Sequence, residues 1–390
     1  MRDASDTSKY TFLTTLPGAS DRLELVSADL NQPDTFLAAV EGCDYVLHVA
    51  SPYTLKVDDP MRDLIHPAVN GTTAVLRACD AAVHPVRRIV LTSSMAAVTD
   101  EPVNGHVYTE ADWNTLSHAG RNPYYASKVQ AERAAWAHVE GRGVGGATAA
   151  DGGAVGRVPE WELVTMNPFA VVGPSIVPTQ STTNGTVESI CKGGFPLIMG
   201  VNFGYTDVRD VATAHIAAMT SQHATGRYLL NTQAVTLRRL VQELRELGLH
   251  GDGYALPTMG FDGACGVCCT RNCLAYTESG GTRDFLQTNP GRTLTADCTK
   301  ARYELGWVPT PWETTLRDTV AAMVVQGHLP ACDAPALQSA NAPDAEQWGR
   351  PQQTSPRSIP GDVQEERVAR ARDSTPVPAA GASGCCGCCK

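Results

Sequence analysis

Two short, almost wholly apolar stretches, DYVLHVASP at 44–52 and RRIVLTSS at 87–94, each end in small polar residues and are separated by a segment with helical spacing; a third, WELVTMNPFAVVGP at 161–174, ends in a Pro and Gly-Pro break. A strand that is apolar at consecutive positions is covered on both faces, and strands alternating with helices join in parallel through crossovers. The fold class expected is therefore α/β, a doubly wound parallel sheet with helices on both faces. RLELVSADL at 22–30 reads as an earlier strand and RYLLN at 227–231 as a last short one. Helices are expected over 33–41, 60–79, 207–222, 299–305 and 312–327, and LRRLVQELRELG should be an amphipathic helix ending at Gly248. Ligands of such sheets lie at the carboxyl ends of the strands, which singles out Asp29, Ala50, Ser51 and the run Thr92, Ser93, Ser94.

After a long loop, NPYYASKVQAER at 122–133 places Tyr124 and Lys128 four residues apart at the start of a helix, so both lie on one face. A phenol titrates near pH 10, and a neighbouring ammonium favours the phenolate, so Lys128 is expected to bring Tyr124 within working range for proton transfer to or from a substrate oxygen. Tyr-x-x-x-Lys also occurs by chance, as a surface Lys beside a half-buried aromatic, so the pair needs the rest of the chain to support it.

Composition excludes several classes. A formal net charge of −10 with scattered Lys and Arg lacks the concentrated basic face of a nucleic-acid binder. There is no apolar run of membrane-spanning length and no visible signal peptide, which gives a cytoplasmic expectation with reduced thiols despite thirteen cysteines. Cys265, Cys268, Cys269 and Cys273 form C-x-x-C-C-x-x-x-C, but zinc usually joins two separated pairs, so no metal is expected there. The terminal GCCGCCK is a candidate for acylation, with an unstructured thiol-rich end as the preferred reading. The glycine-rich 141–158 reads as a flexible insertion, and 331–390, rich in Pro, Ala, Ser and mixed charge, as a disordered tail.

Taken in order, LVSADL, DYVLHVASP, PAVNGTTAVLRAC, RIVLTSSMAAV, NPYYASKVQAE, NPFAVVGP and YTDVRDVATAHIAAM resemble the extended short-chain dehydrogenase/reductase superfamily, and within it the group of dihydroflavonol 4-reductase, cinnamoyl-CoA reductase and carbonyl reductases. The resemblance covers residue 1 to about 330 and implies a Rossmann-like core over 1–173 and 205–231, with a smaller substrate subdomain over 174–204 and 232–330. It implies Ser94 as the residue that orients a carbonyl, with Ser93 one place away, Tyr124 rather than Tyr125 as general acid, and Lys128 as its partner and ribose contact. It further implies cofactor contacts at Asp29, Leu30, Ala50, Ser51, Thr92, Ser93 and Pro168, and a buried helix asparagine at Asn70. Arg2 matches the basic residue that pairs with the 2′-phosphate of NADP, so NADP is expected over NAD.

The family's opening strand, Gly-rich turn, helix and second strand have no counterpart upstream, which takes away the main pyrophosphate grip and two strands expected between 22–28 and 44–50. Of an incomplete polypeptide and a genuine truncation, the first is preferred because every catalytic residue type is retained downstream. The expected activity is NADP-dependent reduction of a ketone or aldehyde, on a partly apolar substrate met by Phe195, Phe203, Met259 and Phe261 in lid segments 184–204 and 254–290. A nucleotide-sugar epimerase or dehydratase is one alternative, needing cations such as Lys192 and Arg209 for a diphosphate. A remnant or binding protein without cofactor is the other.

Overall fold

The computed structural model describes residues 2–53, 57–144, 161–177, 179–251, 253–278, 280–331 and 337, so the 141–158 insertion beyond its helical start and nearly all of the 331–390 tail lie outside the described residues. Four strands form the central sheet: β1 (Tyr45–His48), β2 (Arg88–Thr92), β3 (Glu162–Pro168) and, further along, Gly226–Leu230, paired in that order and all parallel. The apolar runs of β2 and β3 are buried on both faces as expected, whereas that of β1 is buried on one face only. Ile89, Leu91 and Leu163 pack with Val75, Leu76, Cys79 and Ala135 on one side, while Val90, Val164 and Met166 pack with Ala214, Ala218 and Trp307 on the other.

The helices on the first face are α1 (His66–Ala81), which follows a π-helical turn at Met61–Ile65, and α2 (Pro123–Val144). Helix α2 begins abruptly. Asn122 adopts a φ of 47°, a left-handed conformation that Asn tolerates better than most residues, and Pro123 occupies the first helical position, where its missing N–H costs nothing. Helix α3 (Val208–Thr220), capped by the Asp207 carboxylate on Arg209 N–H at 2.8 Å, covers the second face.

A second, three-stranded sheet is built from β4 (Ala170–Val172), β5 (Asn202–Asp207) and Gln233–Thr236, with β5 in the middle, parallel to β4 and antiparallel to the third strand. It packs with the helices Thr182–Cys191, Leu237–Glu246 and Trp312–Val325 around Ile190, Leu240, Val241, Leu244, Trp312 and Val320. The Leu237–Glu246 helix buries Leu237, Leu240, Val241 and Leu244 on one stripe, and Gly248, at φ 85°, follows its end as the sequence suggests.

One expected strand is not formed. Residues 22–30 belong to no strand, and Asp29 closes only a single bridge with Gln32. Alternation makes a strand only where a partner supplies the ladder, and among the described residues the central sheet stops at β1. The outer side of β1 accordingly leaves Leu47 and the following Val49 exposed, at 40% and 60%.

Gly204 in β5 fits because it has no side chain: a Cβ there would lie 2.3 Å from Phe169 Cδ1 and 2.9 Å from Asn231 Oδ1. Gly204→Ala should therefore destabilise by about 1–3 kcal/mol through overpacking, read as a lower urea midpoint at unchanged slope; an unchanged midpoint would mean that Phe169 moves aside freely.

Candidate active site

Three consecutive hydroxyls, at the end of β2 and just after it, meet three different partners. Thr92 Oγ1 lies 2.7 Å from His215 Nε2 on α3, whose Nδ1 in turn lies 2.7 Å from the Val211 carbonyl. Ser93 Oγ donates to Glu132 Oε2 at 2.5 Å within the buried interior. Ser94 turns back across the strand ends. It caps the short 3-10 turn Met95–Ala97, accepting from Ala96 N–H at 3.2 Å, and its hydroxyl is near enough to the Tyr124 phenol to pull the phenol's pKa down. Of the three hydroxyls at this strand end, only that of Ser94 is among the groups that shift Tyr124.

Helix α2 delivers Tyr124 and Lys128 to the same place. The Asn122 N–H donates to Asp284 Oδ2 at 2.6 Å, its amide donates to buried Asp100, and its carbonyl accepts from Ala126 N–H at 3.0 Å, so the first turn is pinned on three sides. Arg121 bridges Asp100 (3.0 Å) and Glu101 (2.8 Å) behind it. The Lys128 ammonium stands 5.8 Å from the Tyr124 ring centroid, and Tyr53, which sequence reasoning missed, meets the same ring edge-on at 4.8 Å. Tyr125 lies edge-on to Tyr124 at 6.0 Å, and its phenol is raised first by burial and then by the Asp100 carboxylate and the neighbouring tyrosines.

The electrostatics differ from the expectation that Lys128 depresses the Tyr124 pKa. Burial pushes Tyr124 well above the ordinary phenol range, nearby Tyr53 adds to this, and the Ser94 hydrogen bond works in the opposite direction. Burial also pulls Lys128 down to about 8, because among the described residues no carboxylate pairs with it. His48, at the end of β1, is buried with Nε2 unpartnered and is held down to about 4, first by burial and then by the nearby Lys128 charge.

The other sequence-derived residues divide. Ala50 is exposed and Ser51 half-buried where the chain leaves β1, and Pro168 ends β3 beside Leu230. Asp29 uses Oδ1 to accept from Asn31 N–H at 2.9 Å, while Leu30 packs on Gly71 of α1. Arg2 is exposed, and Ala4 N–H donates to Ser27 Oγ at 2.9 Å, which tethers the segment carrying Arg2 near Asp29. Asn70 is exposed, not buried, because its side of α1 is not covered by a neighbouring element of the described residues. The Thr92 hydroxyl is bonded to His215 and that of Ser93 to Glu132. Lys192 is paired with Glu188 (2.6 Å) and Arg209 with Asp207 (2.6 Å) and Asp318 (2.8 Å). The cysteines 265, 268 and 269 lie on the helix Ala264–Asn272, and among the described residues no group of three or more His, Cys, Asp or Glu side chains is arranged to hold a metal. No helix of the described residues is long and apolar enough to cross a membrane.

A nicotinamide dinucleotide fits these residues at one end. An unpaired ammonium, an orphaned buried imidazole nitrogen and the Ser94 and Tyr124 hydroxyls together suit a ligand rich in hydroxyl groups. No glycine-rich strand-to-helix turn that would cradle a diphosphate occurs among the described residues.

A parallel sheet whose strand ends gather Ser, Tyr and Lys defines the extended short-chain dehydrogenase/reductase class. More narrowly, the chain belongs to the NAD dependent epimerase/dehydratase family, whose model matches residues 4–230. It is 35% identical over 257 residues to cinnamoyl-CoA reductase CAD2 of Medicago truncatula, covering 63% of this chain and 72% of that one. It is 32% identical to dihydroflavonol 4-reductase of Dianthus caryophyllus, covering 63% and 65%. Among solved structures it resembles yeast methylglyoxal/isovaleraldehyde reductase Gre2 complexed with NADPH, with a TM-score of 0.63 at 26% identity, covering 84% of this chain and 91% of that one.

Lys128 carries a stability cost that pH should reveal. Its folded pKa of about 8 lies below the ordinary 10.5, so the unfolded chain binds more protons between those values and stability rises with pH through that window. Below pH 8 the penalty is fully present. Lys128→Met should therefore raise the stability at pH 7 by about 1–3 kcal/mol, with the advantage shrinking as pH climbs from 8 towards 10.5. Thermal melts across that range check it, and a destabilised variant at pH 7 would refute it.

Proposed function

We propose that this chain is an NADP-dependent oxidoreductase that reduces a ketone or aldehyde to an alcohol, with Tyr124 as general acid. The observation that carries this reading is the gathering of the Ser94 hydroxyl, the Tyr124 phenol and the Lys128 ammonium at one strand end, where the two preceding hydroxyls bond His215 and Glu132. The bound cofactor supplies the hydride. Ser94 donates to the carbonyl oxygen and orients it, and Tyr124 delivers the proton to that oxygen as charge develops on it. A phenol held high in its pKa by burial is protonated throughout the neutral range, which suits the role of donor in the reductive direction. Lys128 would hold the nicotinamide ribose hydroxyls, and contact with them restores the polar partners its ammonium lacks. Pro168 would lie beside the nicotinamide, Ala50 and Ser51 near the pyrophosphate and ribose, and Asp29 and Leu30 at the adenine side, with Arg2 reading the 2′-phosphate.

The preference for NADP rests on Arg2 and on the similarity to a reductase whose structure contains NADPH. A core over 1–173 and 205–231 with a substrate subdomain over 174–204 and 232–330 remains the division that best suits a cleft above Tyr124. An aromatic or α-functionalised carbonyl substrate fits the apolar character of that side, where Phe203 stacks on Phe285 at 5.3 Å and Phe195 packs nearby. The cations that a nucleotide-sugar diphosphate would need are engaged in ion pairs at Lys192 and Arg209, so the epimerase reading gains no support from the site.

Oxidation of NADPH in preference to NADH, driven by aromatic or α-functionalised carbonyls and not by nucleotide sugars, is the expected result. Tyr124→Phe should lower kcat by about 10²-fold or more with little change in cofactor affinity, whereas Tyr125→Phe should leave turnover largely intact. Equal losses in the two variants would mean the acid is misassigned, and turnover only of a nucleotide sugar would refute the reading.

A further inference from the structure

Beneath Ser94 lies a buried polar cluster that the chemistry above does not use. Glu132, on α2 two turns beyond Tyr124, is 1% exposed and accepts from Ser93 Oγ (2.5 Å), Thr165 Oγ1 (2.9 Å), Asn167 Nδ2 (2.8 Å) and Arg227 Nε (2.7 Å). Asn167, fully buried in β3, uses the same Nδ2 to donate to the Ser94 carbonyl at 3.1 Å. The Ser94 carbonyl also accepts from Ala97 N–H at 3.0 Å, which closes the turn on the other side. The amide of Asn167 is therefore shared between the backbone of the residue facing the acid and the carboxylate on the helix that carries the acid.

We propose that Asn167, oriented by Glu132, is a positioning residue that sets the place of Ser94 relative to Tyr124. The inference rests on the reading of Ser94 and Tyr124 as the reacting pair. Its physical basis is the geometry of the bond. The Ser94 backbone sits at a strand end with Gly-free, extended conformation (φ −164°, ψ 159°), and a rotation about it would swing Oγ away from the phenol. The amide of Asn167 resists that rotation from below, while Glu132 fixes the amide so that its N–H groups, and not its oxygen, meet the Ser94 carbonyl. Because Glu132 and Tyr124 share one helix, the same carboxylate references both partners to a single frame.

The test combines structure and kinetics on the full chain. In the crystal structure of Asn167→Ala, Ser94 Oγ should be displaced from the Tyr124 phenol; Ser94 Oγ found in its original place overturns the proposal, whatever the protein does with NADPH. In the kinetics, Asn167→Ala should lower kcat by about 10- to 100-fold, as expected for misplacement of a reacting group, with KM for NADPH little changed. In a Ser94→Ala background the same change should cost almost nothing further, since there is no longer a hydroxyl to position. Independent, multiplying losses would mean a merely structural role and would also overturn the proposal. If Asn167→Ala is not recovered folded, Asn167→Ser, whose hydroxyl is too short to span both partners, takes its place in both measurements. A parent chain that turns over no carbonyl would defeat the functional reading, while the position of Ser94 in the variant still decides the proposal.

Discussion

The ion pair between Glu132 and Arg227 is the contact on which the centre of the molecule depends. The two side chains are 0% and 7% exposed and meet at 2.7 Å, so each charge is taken out of water for the other. Such a pair is not in itself a strong source of stability, but removing one partner leaves an uncompensated charge at a cost of about 3–5 kcal/mol. Against a total of roughly 5–15 kcal/mol for a domain, that makes the arrangement close to obligatory. Arg227 is completed by the carbonyls of Glu110 (2.8 Å) and Asp112 (2.6 Å) and by the face of Trp113 at 3.8 Å. The loop over 109–113 is thereby tied to the last strand of the sheet, and α2 to β3.

Ser94, Tyr124 and Lys128 inherit their order from this arrangement. Lys128 and Tyr124 lie on the helix that Glu132 anchors, and Ser94 follows the serine that donates to it. The site's own components are poorly satisfied by comparison. Lys128 lacks an anionic partner among the described residues, and His48 Nε2 is buried without one. A stable, fully paired layer thus supports an unsatisfied one, which is the usual division of labour where a scaffold positions a binding site.

Much of this was legible in the sequence. Continuous apolar runs marked β2 and β3 because covering on both faces leaves no polar position, the run at β1 marked a strand although one of its faces is open, and the Tyr124–Lys128 spacing could be assigned to one helical face from geometry alone. The strand at 22–30 was misread because alternation reports a preference for a half-buried surface, while a strand also requires a neighbour that local sequence does not specify. Asn70 failed for a related reason, since its burial depends on what covers α1. Which of Thr92, Ser93 and Ser94 lies nearest Tyr124 is fixed by His215 and Glu132, which lie far along the chain, so the triplet alone left Ser93 and Ser94 one place apart. Tyr53 carries no signature beyond its position after the SP turn. The shift of Tyr124 was misjudged because the spacing brings a charge near the ring, and burial outweighs it.

The start of α2 has a consequence for rigidity. Asn122 N–H is bonded to Asp284 in the helix Gly280–Thr288, Arg292 is paired with Glu101, and Asn104 bonds the Gly291 carbonyl at 3.1 Å. These three tethers run from the loop preceding α2 to one short stretch of chain, 284–292. A displacement of that segment is transmitted to Asn122, two residues from Tyr124, as a pull on the first turn of the helix. The segment 280–292 and the first turn of the helix that carries Tyr124 are thus parts of one mechanical linkage, with two hydrogen bonds and an ion pair as its connecting rod.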